Sequence, residues 1–333
     1  MKNIEEYKEK VNLALKRFLE KKLDDGKYSP KIKELIENII EYNMRGGKRI
    51  RPLAIIFAYK CFKEDEKAVI DASIAIELMQ AYLLIHDDII DNADLRRGKP
   101  SMHKIYSSSG EEFGKSMAIL AGNLCSHYVY DSILDSSFSD KEKIDAIKYI
   151  DWIAERENYG QALDIIPGFK ISEEEVMKIY ELKTATYTMQ GPLYLGACLA
   201  SASPEKLQEY GKNIGIAFQI QDDIIGIFGK VEETGKPNDS DIKEGKKTLL
   251  IVKAFELAGE DEKKFLLDNY GKKNVSEAEM EKIREIIKNL GLDYCREKMN
   301  ELIGKGKKSI INLNLRDEGK SFLLDMADYI KNL

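Results

Sequence analysis

Residues 68–91 form an apolar run with helical, nearly all-round spacing that stops in three aspartates, Asp87, Asp88 and Asp91. A helix apolar on every side has to be buried, so this stretch predicts a core helix with other helices packed around it. Asp87 and Asp91 are i,i+4 neighbours; their carboxylates leave one face a turn apart and repel unless a cation sits between them. Mg²⁺ suits that place, because it takes one or two carboxylates and completes its octahedron with water and phosphate oxygens. Arg96 and Arg97 follow at once, with planar forks that match phosphate. Taken alone, such an acidic triple arises by chance about once or twice in a chain with 58 Asp and Glu. A solvated acidic helix end is its plain alternative.

The chain repeats the arrangement. A second apolar run opens at Ser203-Pro204 and ends in FQIQDDIIGIFG, with Gln219, Asp222 and Asp223 at its close. Behind it lies a polar loop, residues 230–248, carrying Lys236, Asp241 and Lys246, and loops this long are functional or disordered. Two such helices facing each other would line one cavity with carboxylates from both sides, a cage for several Mg²⁺ ions and one diphosphate. Upstream, MRGGKRIRP frees the backbone at Gly46 and Gly47 and crowds Lys48, Arg49 and Arg51 into four positions. A shared anion would relieve that crowding; a helix-connecting loop with solvated cations is the other reading. Gln80 falls on the Asp87 side of its helix two turns earlier and needs a partner, either another helix or a ligand phosphate. Lys183, inside ELKTATYT, fits a snorkelling lysine and a phosphate-binding lysine equally.

The rest of the pattern is helical as well. Residues 1–24, 51–62 and 114–135 carry helical spacing. Pro30 suits the first turn of a helix, and Ser139/Glu142, Ser172/Glu175 and Ser276/Glu279 have the capping-box spacing. The helix from Ser139 runs to GQALD, where Gln161 and Asp164 share a face. Residues 247–333 read as short helices, and no alternating strands occur. The expectation is an all-α protein with one domain over residues 1–333.

A chain that is 43% hydrophobic and 33% charged belongs to a globular protein with a real core. Its net charge of −6, without a concentrated basic stripe, argues against nucleic acid as a partner. The N-terminus lacks the apolar core of a signal peptide, and no run approaches a membrane span. Cys61, Cys125, Cys198 and Cys295 are scattered without metal-binding spacing, which predicts free buried thiols and a cytoplasmic protein.

Together, GGKRIRP at 46–52, Gln80 with DDIID and LRRGKP, GQALD at 160–164, Lys183-Thr184, and FQIQDD with TGKP and DIKEGKKT resemble the trans-isoprenyl diphosphate synthases of the polyprenyl synthetase family. The resemblance spans about residues 40–250 in the family's order. It implies the isoprenoid synthase fold, long helices around a deep central cavity, in a homodimer. It implies about three Mg²⁺ ions, two at Asp87 and Asp91 and one at Asp222, with Asp88 and Asp223 in support. Arg96, Lys183, Gln219 and Lys236, with Thr184 beside them, would bind an allylic diphosphate. Lys48, Arg51, Gln80 and Arg97 would bind isopentenyl diphosphate, and Lys246 belongs to a loop that closes over the site. No histidine among His86, His103 and His127 has a role in that chemistry. The chain departs from the family at Gly226, where the second motif usually has its last aspartate; Asp241 in the following loop is a candidate to help. Asn123 also stands where the family commonly has Asp.

Chain length would be set by the residues before the first motif, Tyr82 and Leu83, about 6–8 Å below the metals on a helix rising 1.5 Å per residue. One aromatic, and no insertion in DDIID, resembles the archaeal-type geranylgeranyl diphosphate synthases; Tyr82 as ordinary core is the alternative. The competing readings are a farnesyl or longer-chain synthase, a terpene cyclase, which needs no second diphosphate site, and a non-catalytic subunit.

Overall fold

The computed structural model of the chain describes residues 4–166, 168, 170–229 and 240–332. They fall into two compact units, the first built from Met1–Tyr149, Pro192–Ser203 and Leu315–Lys320, the second from Ile150–Gly191, Pro204–Asn314 and Ser321–Leu333.

The first unit contains α1 (Ile4–Lys21), α2 (Pro30–Asn43), α3 (Ile50–Lys60) and α4 (Lys67–Ile90). A hairpin follows, β1 (Leu95–Arg96) and β2 (Lys99–Pro100), then α5 (Met102–Ile105) and α6 (Glu111–Leu134). As the apolar pattern requires, α4 is the core helix: Val69, Ile74, Ile76, Leu78, Met79 and Ile85 are all buried, and α6 packs along it. On length and composition α4 could cross a bilayer, with a mean hydropathy of 1.7, which corrects the reading that no run approaches that length. Two-thirds of that stretch, 67%, is buried inside the protein, as in a core helix. The helix ends where Asn92 turns left-handed (φ 51°), a conformation Asn tolerates. The hairpin is the one piece of sheet among the described residues. Its two-residue turn has Arg97 (φ 55°) and Gly98 (φ 72°) both left-handed, the geometry that matches strand twist, and its strands are too short to give an alternating signal.

α7 (Asp140–Ile165) begins in the first unit and continues into the second. There α8 (Glu173–Ile179) runs without a break into a π-helical stretch, Tyr180–Gln190, which continues into α9 (Gly191–Leu199), a helix that belongs from Pro192 onward to the first unit. Then come α10 (Gln208–Phe228), α11 (Ser240–Glu244), α12 (Leu249–Leu257), α13 (Glu260–Asn269), α14 (Glu277–Leu290), α15 (Leu292–Ile311) and α16 (Asp317–Lys331). The chain is all-α, and the capping boxes at Ser172 and Ser276 form as their spacing predicts. Ser139 and Glu142 also exchange their bonds, at 2.9 Å and 3.4 Å. Two differences stand out. The C-terminal helices are not all short, α15 having 20 residues, and an 11-residue π stretch lies where an ordinary helix was expected.

In the second unit α10 lies between α15 and the π stretch. Gly211 and Gly215, one turn apart, allow that approach: a Cβ on Gly211 would come within 2.9 Å of the Gln190 Cα, and one on Gly215 within 2.6 Å of the Ala185 Cα. The next turn along the same stripe is Gln219.

Candidate functional site

In the first unit the three aspartates of DDIID separate by burial. Asp87 is half-buried and Asp91 exposed, on one face at the C-terminal end of α4, where the helix dipole adds to the pull on a cation. Asp88 points the other way and is fully buried. It accepts hydrogen bonds from Arg96 Nε at 2.8 Å and Tyr42 OH at 3.0 Å, so its oxygens are spent inside the protein. Burial works against the Arg96 charge, but Asp88 outweighs it and keeps the guanidinium pKa raised. Arg96 also lies 3.8 Å from Asp87. Asp88 therefore fixes Arg96 in place instead of joining Asp87 and Asp91 at the surface.

The two basic segments meet. Arg97 donates to the Gly46 carbonyl, and its guanidinium lies where a side chain on Gly47 would start, 3.2 Å from the ideal Cβ position. Arg45, paired with Glu41 at 2.7 Å, donates to the Pro100 carbonyl at 2.9 Å and ties loop to hairpin again. Gln80 and Arg97 line one narrow cleft with Tyr42, Ala81 and Leu84. Lys48 is exposed and Arg51 half-buried. Arg49 behaves otherwise. With left-handed backbone (φ 53°) it turns inward to a buried ion pair with Glu77 and donates to Asn12 at 2.8 Å. The crowded GKRIR cations are thus relieved partly by an internal carboxylate, not only by an outside anion.

Tyr82 and Leu83 are half-buried. The Tyr82 ring stands edge-on to His86, centroids 6.1 Å apart, and His86 lies so close to α6 that a Cβ on Gly122 would be 2.3 Å from its Nε2.

The second unit assembles its predicted residues around the π stretch. Lys183 pairs with Asp164, 2.5 Å apart. That pair depends on Gly160, where a Cβ would be 2.3 Å from the Lys183 backbone nitrogen, so only glycine lets α7 approach so closely. Thr184 donates to the Gln219 side-chain oxygen, and Gln219 donates to Asp223 at 2.7 Å. Tyr180 donates to the other oxygen of Asp223 and accepts from the Leu249 amide at 2.7 Å. Burial pushes the Asp223 pKa well above the usual carboxylate range; Asp241 and Asp222 add to the rise, while Tyr180 and Gln219 oppose it. Asp222 is exposed on α10, one turn after Gln219. Lys246 is bound to Asp241 at 2.7 Å. Lys236 lies outside the described residues.

Among the described residues no group of three or more His, Cys, Asp or Glu side chains is drawn together as a metal cage. The donor set instead offers accessible carboxylates near helix C-termini. That suits Mg²⁺, which binds through one or two carboxylates and takes its remaining ligands from water and phosphate. Sequence reasoning did not find Tyr42, Glu77 and Tyr180, the partners that hold Asp88, Arg49 and Asp223. Glu77 left a signal, as an acid inside an apolar helix that requires a cation; the two tyrosines left none.

A family model described as polyprenyl synthetase matches residues 33–287. The short chain isoprenyl diphosphate synthase of Methanocaldococcus jannaschii is 35% identical over 327 residues, 97% of this chain and 93% of that one. The geranylgeranyl diphosphate synthase of Saccharolobus solfataricus is 35% identical over 296 residues, 86% of this chain and 83% of that one. The crystal structure of geranylgeranyl pyrophosphate synthase from Corynebacterium glutamicum, complexed with isoprenyl diphosphate and magnesium, matches with a TM-score of 0.92 at 30% identity, over 98% of this chain and 99% of that one. The chain belongs to the polyprenyl synthetase family.

Proposed function

We propose that the protein is a Mg²⁺-dependent trans-prenyltransferase that joins isopentenyl diphosphate head-to-tail to allylic diphosphates, with geranylgeranyl diphosphate as its main product and residues 1–333 acting as one domain. The observation that carries the reading is the coupling of the GGKRIRP loop to the RRGKP hairpin, which gathers Arg97 and Gln80 in one cleft beside the DDIID helix. A terpene cyclase needs the acidic motif but has no use for that second cationic site.

Asp87 and Asp91 hold two Mg²⁺ ions in this reading and Asp222 a third, with Asp88 acting through Arg96. When bound, the metal neutralises charge that develops on the leaving diphosphate. Arg96, Lys183, Gln219, Lys236 and Thr184 bind the allylic diphosphate, and Lys246 screens it from water. Lys48, Arg51, Gln80 and Arg97 bind isopentenyl diphosphate. Fixed cations of this kind need no reorganisation as the allylic carbon–oxygen bond breaks. The double bond of isopentenyl diphosphate then attacks the allylic cation, the departed diphosphate takes the proton, and the chain grows by one isoprene unit. No side-chain nucleophile is required. The four buried free thiols fit this role and a reducing cytoplasm; burial pushes Cys61, Cys125 and Cys198 up to about 12. The exposed Phe113, Ile119 and Leu120 on α6 support a homodimer.

The test is Mg²⁺-dependent release of pyrophosphate from geranyl diphosphate plus isopentenyl diphosphate. Asp87→Asn is expected to lower its rate about 10²–10³-fold. Equal rates in the two proteins would sink the assignment.

A further inference from the structure

The hairpin carries one cation for each diphosphate, Arg96 in β1 and Arg97 in the turn, yet its strands have only two residues each. A two-stranded ribbon is marginal in water even when longer, so it does not hold its own place. Where the two guanidiniums stand is decided by what fastens the hairpin to the rest of its unit.

Arg45, two residues past the end of α2, is a fastening that touches every part of it. Its side chain is only 2% exposed. Nη1 donates to a carbonyl on each strand, Arg96 at 3.3 Å and Pro100 at 2.9 Å. Nε and Nη2 donate to Glu41 Oε2 at 2.9 Å and 2.7 Å. The other Glu41 oxygen accepts from Lys99 at 2.6 Å, so one carboxylate grips both the clamp and the hairpin. Burial raises the Glu41 pKa, but Arg45 and Lys99 outweigh it and keep the group below the usual carboxylate range. The Arg45 guanidinium also lies 4.8 Å from the centre of the Tyr42 ring, and the Tyr42 hydroxyl donates to Asp88, the partner of Arg96. On its other side, Arg45 is followed in the chain by Gly46, whose carbonyl holds Arg97. Burying a guanidinium against two carbonyls is a costly way to gain stability alone, and its side chain is too enclosed to meet a substrate.

We propose that Arg45 is the positioning residue of both diphosphate sites: it sets the place of the hairpin, so that Arg97 reaches isopentenyl diphosphate and Arg96 the allylic diphosphate. The inference rests on the prenyltransferase reading. It gives the two sites a shared support, since the cations that serve them are consecutive residues on one clamped turn. The forked geometry is what matters, because one side chain has to reach a carboxylate and two carbonyls at once.

The experiment measures steady-state condensation of isopentenyl and geranyl diphosphates by the full chain at saturating Mg²⁺, varying each substrate in turn, with the thermal midpoint of every variant as the check on folding. Arg45→Ala should raise the KM for isopentenyl diphosphate about 10-fold and that for geranyl diphosphate in the same direction, as a small displacement of a binding group does. Arg45→Lys keeps the charge but not the fork, and should recover less than half of the loss. Once Arg97 is gone there is nothing left for Arg45 to place at that site, so Arg45→Ala/Arg97→Ala should show nearly the isopentenyl diphosphate KM of Arg97→Ala alone. If Arg45→Ala does not fold, Glu41→Gln, at a partly exposed position, loosens the same clamp and should raise both KM values about 3-fold. Unchanged KM values in the folded variants, full recovery in Arg45→Lys, or effects of Arg45→Ala and Arg97→Ala that multiply would each overturn the inference. If the wild-type protein condenses its substrates while that happens, only the role of Arg45 falls. A wild-type protein that condenses neither removes the prenyltransferase reading, and this inference with it.

Discussion

Arg49 and Glu77 show how this chain divides its charged residues between structure and chemistry. Both are buried, and Arg49 takes a left-handed backbone to reach its partner, while its neighbours Lys48 and Arg51 are left more open. Removing one member of a buried pair strands the other, so Glu77→Gln is expected to lower unfolding stability by about 3–5 kcal/mol. Urea denaturation measures this directly, and a loss under about 1 kcal/mol would mean the pair is not the anchor described. The same division separates Asp88 from Asp87 and Asp91, and Asp223 from Asp222. In each acidic segment one carboxylate is buried and holds a neighbour, while another meets solvent. Residue spacing showed which carboxylates share a face. It did not show which had a tyrosine waiting, because Tyr42 and Tyr180 come from distant segments with no pattern of their own.

Among the elements, the long helices were legible because periodicity and caps are local, and α4, α7, α8 and α14 begin within a residue or two of where those signals place them. The π stretch was not legible. Its extra residue per turn is stabilised by packing and by Thr186, whose hydroxyl donates to the Glu181 carbonyl at 2.7 Å, and neither is visible as a spacing. It also sets Lys183 and Thr184 beside their partners on α7 and α10. The hold on α1 was equally invisible. Glu66 takes hydrogen bonds from Tyr7, from Lys10 at 2.8 Å and from Lys60 at 2.7 Å. Burial raises the Glu66 pKa, but these three donors outweigh it and bring it down to about 2, from 4.5. A depressed carboxyl stabilises the fold above its unfolded value and loses that contribution as pH falls through the folded one. The clasp should therefore give its full stabilisation, at most about 3 kcal/mol, above about pH 4.5 and lose it progressively towards about pH 2. Acid titrations of wild type and Glu66→Gln should show a stability gap at neutral pH that closes over that window. A gap that stays constant with pH would contradict the ionic account.

For the whole molecule, family membership rests on motifs in the right order over most of the chain, and the product rests on far fewer residues. Of the pair Tyr82 and Leu83 below the first motif, Tyr82 is the aromatic one, and it stands edge-on to His86 on the α6 side of α4. If it limits the growing tail, Tyr82→Ala should shift the product distribution by at least one isoprene unit, as seen by chromatography of the dephosphorylated alcohols. An unchanged distribution would make Tyr82 ordinary core. The most direct measurement incubates the protein with Mg²⁺, isopentenyl diphosphate and, separately, dimethylallyl, geranyl and farnesyl diphosphate, and sizes the products by mass spectrometry. The account predicts elongation of every primer to a dominant C20 diphosphate. Folded protein that condenses none of them, or that releases cyclic hydrocarbons, would contradict it.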